Sequence, residues 1–326
     1  MSSMIKTKVI GVHIDVAVTV IAVVDQRGNI IAEDRLVTTD FPDVNHFLEA
    51  LSERIILLAE ANGGYDEIRS VGMGAPSANF LTASIENAGN LPWKGIIPMA
   101  AMLRDRIGLA VALGNDVHTI GMGESVYGAG HGMQNFVVVM IGDCGLGSCI
   151  FINGQPHLGM NGSAGELGHC CVDDGGRLCN CGRHGCLEEY VSIRGIEQTA
   201  RELLTASDEP SLMRNLSELT PMAIGACADQ GDALAKEVWR RTGFFLGLGL
   251  ANMATVVDPE AIILTGKLTS FSKWLIAPTQ EAFDENVFQN IRDKVKLVIS
   301  VLSDNERNVL GAAALAWTVK EYSLFK

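Results

Sequence analysis

One imidazole and three thiols stand close enough in this chain to hold a metal ion: His169 is followed by Cys179, Cys181 and Cys186. Those are donors that zinc prefers. Four of them fill its tetrahedral shell, so a site of this kind is structural and keeps no position for a reactive water. Cys170 and Cys171 adjoin His169 and compete for the same role, although neighbours on a strand face opposite ways and cannot both reach one ion. His184 is a further alternative.

A second set of groups overlaps the first. Between Gly159 and His169 the chain packs Glu166 and His169 among four glycines, and Glu188 and Glu189 follow just past the cysteine loop. Carboxylates and imidazoles exchange hydrogen bonds with vicinal hydroxyls, and glycines let backbone approach a ligand, so the set suits a polyol. Taken singly, each carboxylate reads as a solvated surface charge. Asp116, ahead of the run 117–125, can also be a helix N-cap, which does not exclude a catalytic role.

The elements that must position these groups alternate between strand and helix. Val9–Ile14, Val18–Val24 and Ile30–Val37 are β-branched and apolar, with Asp25–Asn29 as a turn, which predicts a β-meander. Val44, Phe47, Leu48, Leu51, Ile55 and Leu58 recur at helical spacing, stopped by Asn62, Gly63 and Gly64. A strand at Ile68–Gly74 follows. The pattern restarts with strands at Phe136–Ile141 and Leu146–Ile152, a hairpin signal at Asn153 and Gly154, helical stretches, and strands at Ala261–Leu264 and Leu297–Val301. Two α/β halves of this kind are the repeat organisation of the actin-like ATPase and sugar-kinase superfold, an analogy that does not by itself fix function.

The bulk numbers suit a globular protein of two domains: 326 residues, 48% hydrophobic, 19% charged. A formal charge of −13 repels a polyanion, so no nucleic-acid partner is expected. No apolar run reads as a signal peptide or a membrane span, which predicts a cytoplasmic protein without a membrane partner. In a reducing compartment the eight cysteines read as thiols or metal ligands rather than disulfides.

Four segments together resemble the ROK family (repressors, open reading frames and kinases), and the resemblance runs over nearly the whole chain. They are Gly165–His169, the Cys179-x-Cys-Gly-x-x-Gly-Cys-Leu-Glu188 loop, the Ala88–Trp93 segment and the pair Asn115 and Asp116. The resemblance implies an actin-like ATPase fold of two α/β domains flanking a cleft. Residues 1–117 would form the first, with a C-terminal helix at about 307–326 packing back on it, and 118–306 the larger second domain carrying the zinc loop. It implies that Glu166, His169 and Glu188 hold sugar hydroxyls, with Asn90, Asn115 and Asp116 completing the pocket. His169 would ligate structural zinc through one ring nitrogen and reach the sugar with the other. Asp116 would be the base that takes the proton from the 6-hydroxyl of a hexose as ATP, with Mg2+, donates its γ-phosphate. Pocket shape around Asn90 and Trp93 would choose the sugar. Homodimers or homotetramers are expected. The repressor members' N-terminal DNA-binding module is not, since eight residues precede the first strand.

Three nucleotide-facing motifs depart from the family pattern. The first phosphate loop, Asp-x-Gly-Gly-Thr in the family, falls on His13, Ile14, Asp15, Val16 and Ala17. The second, Gly-Thr-Gly-x-Gly, falls on Asp143, Cys144, Gly145, Leu146 and Gly147, which keeps Gly145 and Gly147 for the nucleotide. The paired glycine of the adenosine region becomes Gly266 and Lys267. Two functions therefore compete: an ATP-dependent hexose kinase of glucokinase type, and a sugar-binding protein with weak or no phosphoryl transfer.

Overall fold

A computed structural model describes residues 6–142 and 145–319. Asp143 and Cys144 of the second loop, and residues 320–326 of the expected C-terminal helix, lie outside them. The elements run β1 (Lys8–Ile14), β2 (Val18–Asp25), β3 (Ile30–Val37), α1 (Val44–Ala61), β4 (Ile68–Ala75), β5 (Ala78–Asn79), β6 (Ser84–Glu86), β7 (Ile96–Ile97), α2 (Met99–Ile107), β8 (Val111–Asn115) and α3 (Asp116–Tyr127). Then come β9 (Phe136–Gly142), β10 (Gly145–Ile152), β11 (Gln155–Pro156), α4 (Glu188–Val191), α5 (Ile193–Ala206), α6 (Pro221–Asp229), α7 (Ala233–Val257), β12 (Ala261–Thr265), α8 (Ser272–Asn286), β13 (Lys296–Ile299) and α9 (Arg307–Thr318). The described residues fall into two compact units, one within 1–132, 158–162 and 301–326, the other within 133–157 and 163–300.

In the first unit the sheet order is β3-β2-β1-β4-β8. The β1–β2 and β2–β3 pairs are antiparallel, and the β1–β4 and β4–β8 pairs parallel. β1 is central and covered on both faces, which is why it is apolar at nearly every position from Val9 to Ile14, with His13 the exception. Ile10, Val12 and Ile14 join Phe47, Leu48, Leu51 and Ile55 of α1 in one cluster, while Val9 joins Val309, Leu310 and Ala313 of α9 in another. α9 lies close against the sheet. A Cβ on Gly72 would stand 2.0 Å from the Ala312 carbonyl oxygen, and Ser70 Oγ donates to the Ala316 carbonyl at 2.8 Å. His13, two residues on from Gly11, falls by strand alternation on this α9 side.

The second unit repeats the arrangement with order β11-β10-β9-β12-β13, again antiparallel for the first two pairs and parallel for the last two. Its core joins Val137, Val139 and Ile141 of β9 to Ile262 and Leu264 of β12 and to Leu246 and Leu250 of α7. Most strand bounds differ from the sequence reading by one residue, and two differences go further. β13 ends at Ile299 rather than 301, and Val301 is 75% exposed, so its apolar side chain marks no strand. The sequence gives no strand at β8, since Val111-Ala-Leu-Gly-Asn115 carries a single β-branched residue; pairing with β4 makes it one.

Candidate functional site

The residues expected to bind metal meet in the second unit. His169 closes a 3-10 turn, Leu167–His169, and the cysteines sit on a small two-rung hairpin whose isolated bridges pair Cys171 with Cys186 and Leu178 with His184. Ligand atoms of His169, Cys179, Cys181 and Cys186 all lie within 4.8 Å of one another. Cys181 Sγ is 3.6 Å from Cys186 Sγ, and Cys179 Sγ is 3.7 Å from His169 Nδ1. A tetrahedron with Zn–S near 2.3 Å and Zn–N near 2.0 Å has edges of about 3.8 Å between sulfurs and about 3.5 Å between sulfur and nitrogen. The donor set and its spacing therefore fit zinc. Burial pushes the Cys179 and Cys186 thiols up, while the backbone N–H of Arg183 leads the groups that hold Cys181 below its usual value.

The alternative ligands are placed elsewhere. His184 Nδ1 pairs with the Gly176 carbonyl at 2.9 Å, and neither His184 nor Cys170 nor Cys171 belongs to the four-residue group. Arg177, which no sequence signal marked, pins the loop. Its guanidinium donates to the carbonyls of Glu189 and Gly195 and to Thr199 and Glu202, and lies over the Tyr190 ring at 4.7 Å. Tyr190 in turn donates to Asp173 at 2.7 Å and accepts from the Arg177 N–H; burial first, and Asp173 next, push its hydroxyl up to about 12.

Glu188 adjoins this cluster. Its Oε1 is 3.5 Å from Cys179 Sγ and 3.9 Å from His169 Nδ1. Its other carboxylate oxygen lies 2.5 Å from where a Cβ on Gly145 would stand, so the glycine at 145 makes room for Glu188. Glu189, adjacent in sequence, is buried and bonded to Arg194 at 2.6 Å, and its carboxylate also lies within 4.8 Å of the Cys179 thiol and the Glu188 carboxylate. Glu166 is exposed, on the turn before the 3-10 segment. That turn presses on β10: Ser148 Oγ donates to the Gly165 carbonyl, and a Cβ on Gly168 would stand 2.3 Å from the Leu146 carbonyl oxygen. Gly147 lies within β10, and Gly266 follows β12 with φ of 101°.

Asn90, Asn115 and Asp116 belong to the first unit. Asn115 caps α3, its side chain accepting from the Val117 N–H at 3.0 Å, and Asp116 is the first helical residue. The cap expected of Asp116 thus falls to its neighbour, although Asp116 Oδ1 also accepts from Val117 N–H at 2.8 Å. Asn90 is exposed on a turn held from beneath. Trp93 is 4% exposed, its ring 4.5 Å from that of Phe47 and its Nε1 donating to the Phe41 carbonyl, so it belongs to the core that supports the turn.

The β1–β2 turn is held by bonds of its own. The Val16 N–H donates to Asp15 Oδ1 at 2.6 Å, and the Ala17 carbonyl accepts from Thr38 N–H at 2.9 Å. His13 is buried, with Nδ1 unpaired; burial brings its pKa down to about 4, helped by Arg307 and opposed by Asp15.

Known proteins place the chain. It is 32% identical to a glucokinase of Halalkalibacterium halodurans over 88% of this chain and 84% of that one. It is 30% identical to a glucokinase of Streptomyces coelicolor over 94% of this chain and 96% of that one. The structure of a ROK family glucokinase from Streptomyces griseus, in complex with glucose and AMPPNP, matches with a TM-score of 0.76 at 28% identity, covering 95% of this chain and 99% of that one. The two five-stranded sheets are those of the actin-like ATPase, or sugar-kinase, fold. The model of the ROK family matches residues 9–319, nearly everything the structure describes, and the chain therefore belongs to the ROK family.

Proposed function

We propose that the chain is a sugar kinase of glucokinase type, which binds a hexose and phosphorylates it at O6 at the expense of ATP. Likeness to two glucokinases supports the class. The observation that carries the site is the carboxylate of Glu188, set between the Cys179 thiol and Gly145. A carboxylate so held keeps one orientation, which directional recognition of vicinal hydroxyls requires. Zinc in the His169, Cys179, Cys181 and Cys186 set supplies a structural clamp. His169 then keeps its second ring nitrogen for the sugar, and Glu166, Glu188, Asn90, Asn115 and Asp116 take the other hydroxyls. Asp116 accepts the proton of the 6-hydroxyl, a role within a carboxylate's reach once the Asn115 side chain supplies the helix cap.

Gly145, Gly147 and Gly266 are the residues that would hold the nucleotide. The β1–β2 turn does not fit its phosphates and Mg2+: Val16 N–H is already bonded to Asp15, and His13 is a neutral imidazole where the family has an acid. That observation favours a second reading, a sugar-binding protein with weak or no turnover. The same proposal takes the protein as a cytoplasmic homodimer or homotetramer without a nucleic-acid or membrane partner, in keeping with its charge of −13 and with the absence, among the described residues, of any helix long and apolar enough to cross a membrane.

A coupled kinase assay over a panel of hexoses with ATP and Mg2+, beside calorimetry with the sugars alone, tests both. Turnover within the usual enzyme range of about 1–1000 per second, abolished by Asp116→Ala, supports the kinase. Binding without turnover supports the second reading, and no binding of any sugar overturns both.

A further inference from the structure

The exposed thiol of Cys171 stands opposite one of the four metal ligands. Cys171 and Cys186 are an antiparallel bridge pair, and the hydrogen bonds that make the bridge run from Leu187 N–H to the Cys170 carbonyl at 2.9 Å and from Val172 N–H to the Gly185 carbonyl at 2.8 Å. Those bonds flank the pair rather than join it. In such a non-hydrogen-bonded pair the Cα atoms are about 4.5 Å apart and the two side chains share a face. A disulfide spans Cα separations of about 4.4–6.8 Å, so the backbone already stands at bonding distance. Cys171 Sγ lies 3.1 Å from where a Cβ on Gly185 would be, against the same short rung.

The two thiols differ in access. Cys171 is exposed and outside the ligand group, whereas Cys186 is fully buried within it. Cys170, next in sequence, has its side chain on the opposite face by strand alternation. We infer that Cys171 is an oxidation site that captures Cys186 as a disulfide and so takes the metal site apart. The inference rests on the zinc reading given above.

The chemistry needs a peroxide as oxidant. The Cys171 sulfur attacks one peroxide oxygen, the O–O bond breaks, and Cys171 becomes a sulfenic acid with loss of one water. The Cys186 thiolate then attacks the Cys171 sulfur. The S–S bond forms, the S–O bond breaks, and the leaving hydroxide takes a proton to become a second water. Two thiol sulfurs are oxidised by two electrons and one peroxide is reduced. Cys186 has left the ligand set, and three donors remain where zinc's tetrahedral site needs four. Cys181 Sγ is 3.6 Å from Cys186 Sγ, but it belongs to the ligand set, so the first oxidation falls on Cys171, the exposed thiol outside that set.

The test treats the full-length, reduced protein with hydrogen peroxide. It follows zinc release with a chromogenic chelator and maps disulfides by mass spectrometry after alkylation. Cys186 is the sole cysteine of the tryptic peptide His184–Arg194, and fragmentation of peptide 107–177, with the Cys170→Ser variant beside it, separates Cys171 from the other cysteines of that peptide. Wild type and Cys170→Ser should release zinc together with the appearance of the Cys171–Cys186 link, both reversed by dithiothreitol and added zinc. Cys171→Ser should carry zinc when reduced, form no such link and release zinc at least about tenfold more slowly. A Cys171→Ser protein that releases zinc at the wild-type rate, or a Cys181–Cys186 link in its place, overturns the inference. So does a Cys171→Ser protein that purifies without zinc while wild type holds it, because Cys171 would then be a ligand. Reduced wild type without zinc overturns the metal reading instead, and the disulfide map still decides whether Cys171 and Cys186 pair.

Discussion

Substituting Gly168 by alanine tests the link between β10 and the site. The added Cβ would stand 2.3 Å from the Leu146 carbonyl oxygen and 3.4 Å from Leu146 Cβ. Non-bonded heavy atoms rest at about 3.5 Å, so the turn must retreat from β10 by about 1 Å. No unusual backbone angle is involved, since Gly168 has a φ open to any residue. The clash is with backbone, which no rotamer change relieves. Overpacking of this kind costs about 1–3 kcal/mol. Unfolding entropy of about 2.1 cal/mol/K per residue over 326 residues makes each kcal/mol worth about 1.5 °C, so Tm should fall by about 1.5–4.5 °C. His169 is the next residue, and metal ligands tolerate displacements of about 0.2 Å, so zinc content should drop as well. Differential scanning calorimetry and elemental analysis read the two effects. A Gly168→Ala protein with wild-type Tm and a full complement of zinc would refute the contact argued from β10.

Other expectations follow from the same geometry. Cys181→Ser should leave well under one zinc per chain by elemental analysis and lower Tm, since metal binding energy in such sites is folding energy. Glu188→Ala should weaken hexose binding more than tenfold in calorimetry, the loss of a hydrogen bond to a charged partner being worth about 1.5–3 kcal/mol. Buried His13, with a folded pKa of about 4 against about 6.5 unfolded, contributes stability that is fully present above pH 6.5. As pH falls from about 6.5 to about 4 the unfolded chain takes up a proton that the folded chain refuses, which removes up to about 3 kcal/mol and then levels off. Urea midpoints measured across that range should fall more steeply for wild type than for His13→Asn, and equal slopes would contradict it.

Much of this was legible in the sequence because its signals are local. β1, β2 and β3 are β-branched runs bounded by turn residues, and α1 shows its buried face at helical spacing. The donors His169, Cys179, Cys181 and Cys186 announce themselves by type and proximity. Other features depend on contacts that no local pattern records. β8 becomes a strand by pairing with β4. Asn115 rather than Asp116 caps α3, a choice between adjacent capping residues that backbone geometry makes. Arg177 looks like any surface arginine until its guanidinium is found among the carbonyls of Glu189 and Gly195. Gly145 belongs to a loop read as phosphate-binding, yet the space its missing Cβ leaves is taken by Glu188.

That last contact suggests what a structural metal in the proposed site would do for Glu188. α4, which begins at Glu188, is four residues long and has no side-chain cap. A single helical turn fixes several backbone dihedrals for very few hydrogen bonds, so α4 cannot hold a carboxylate in place by its own stability. Its neighbours must. Cys186, two residues upstream, is tied to the other three ligand positions. Leu187 is fully buried, and a Cβ on Gly249 of α7 would stand 2.5 Å from its Cδ2, so the leucine fills the notch that this glycine leaves. Glu189, one residue downstream, is held by Arg194. Glu188 is thus fixed from both sides by residues that need not touch a sugar. In the proposed site the metal is a restraint that can be withdrawn without changing a residue, which is why the inferred oxidation of Cys186 would loosen Glu188.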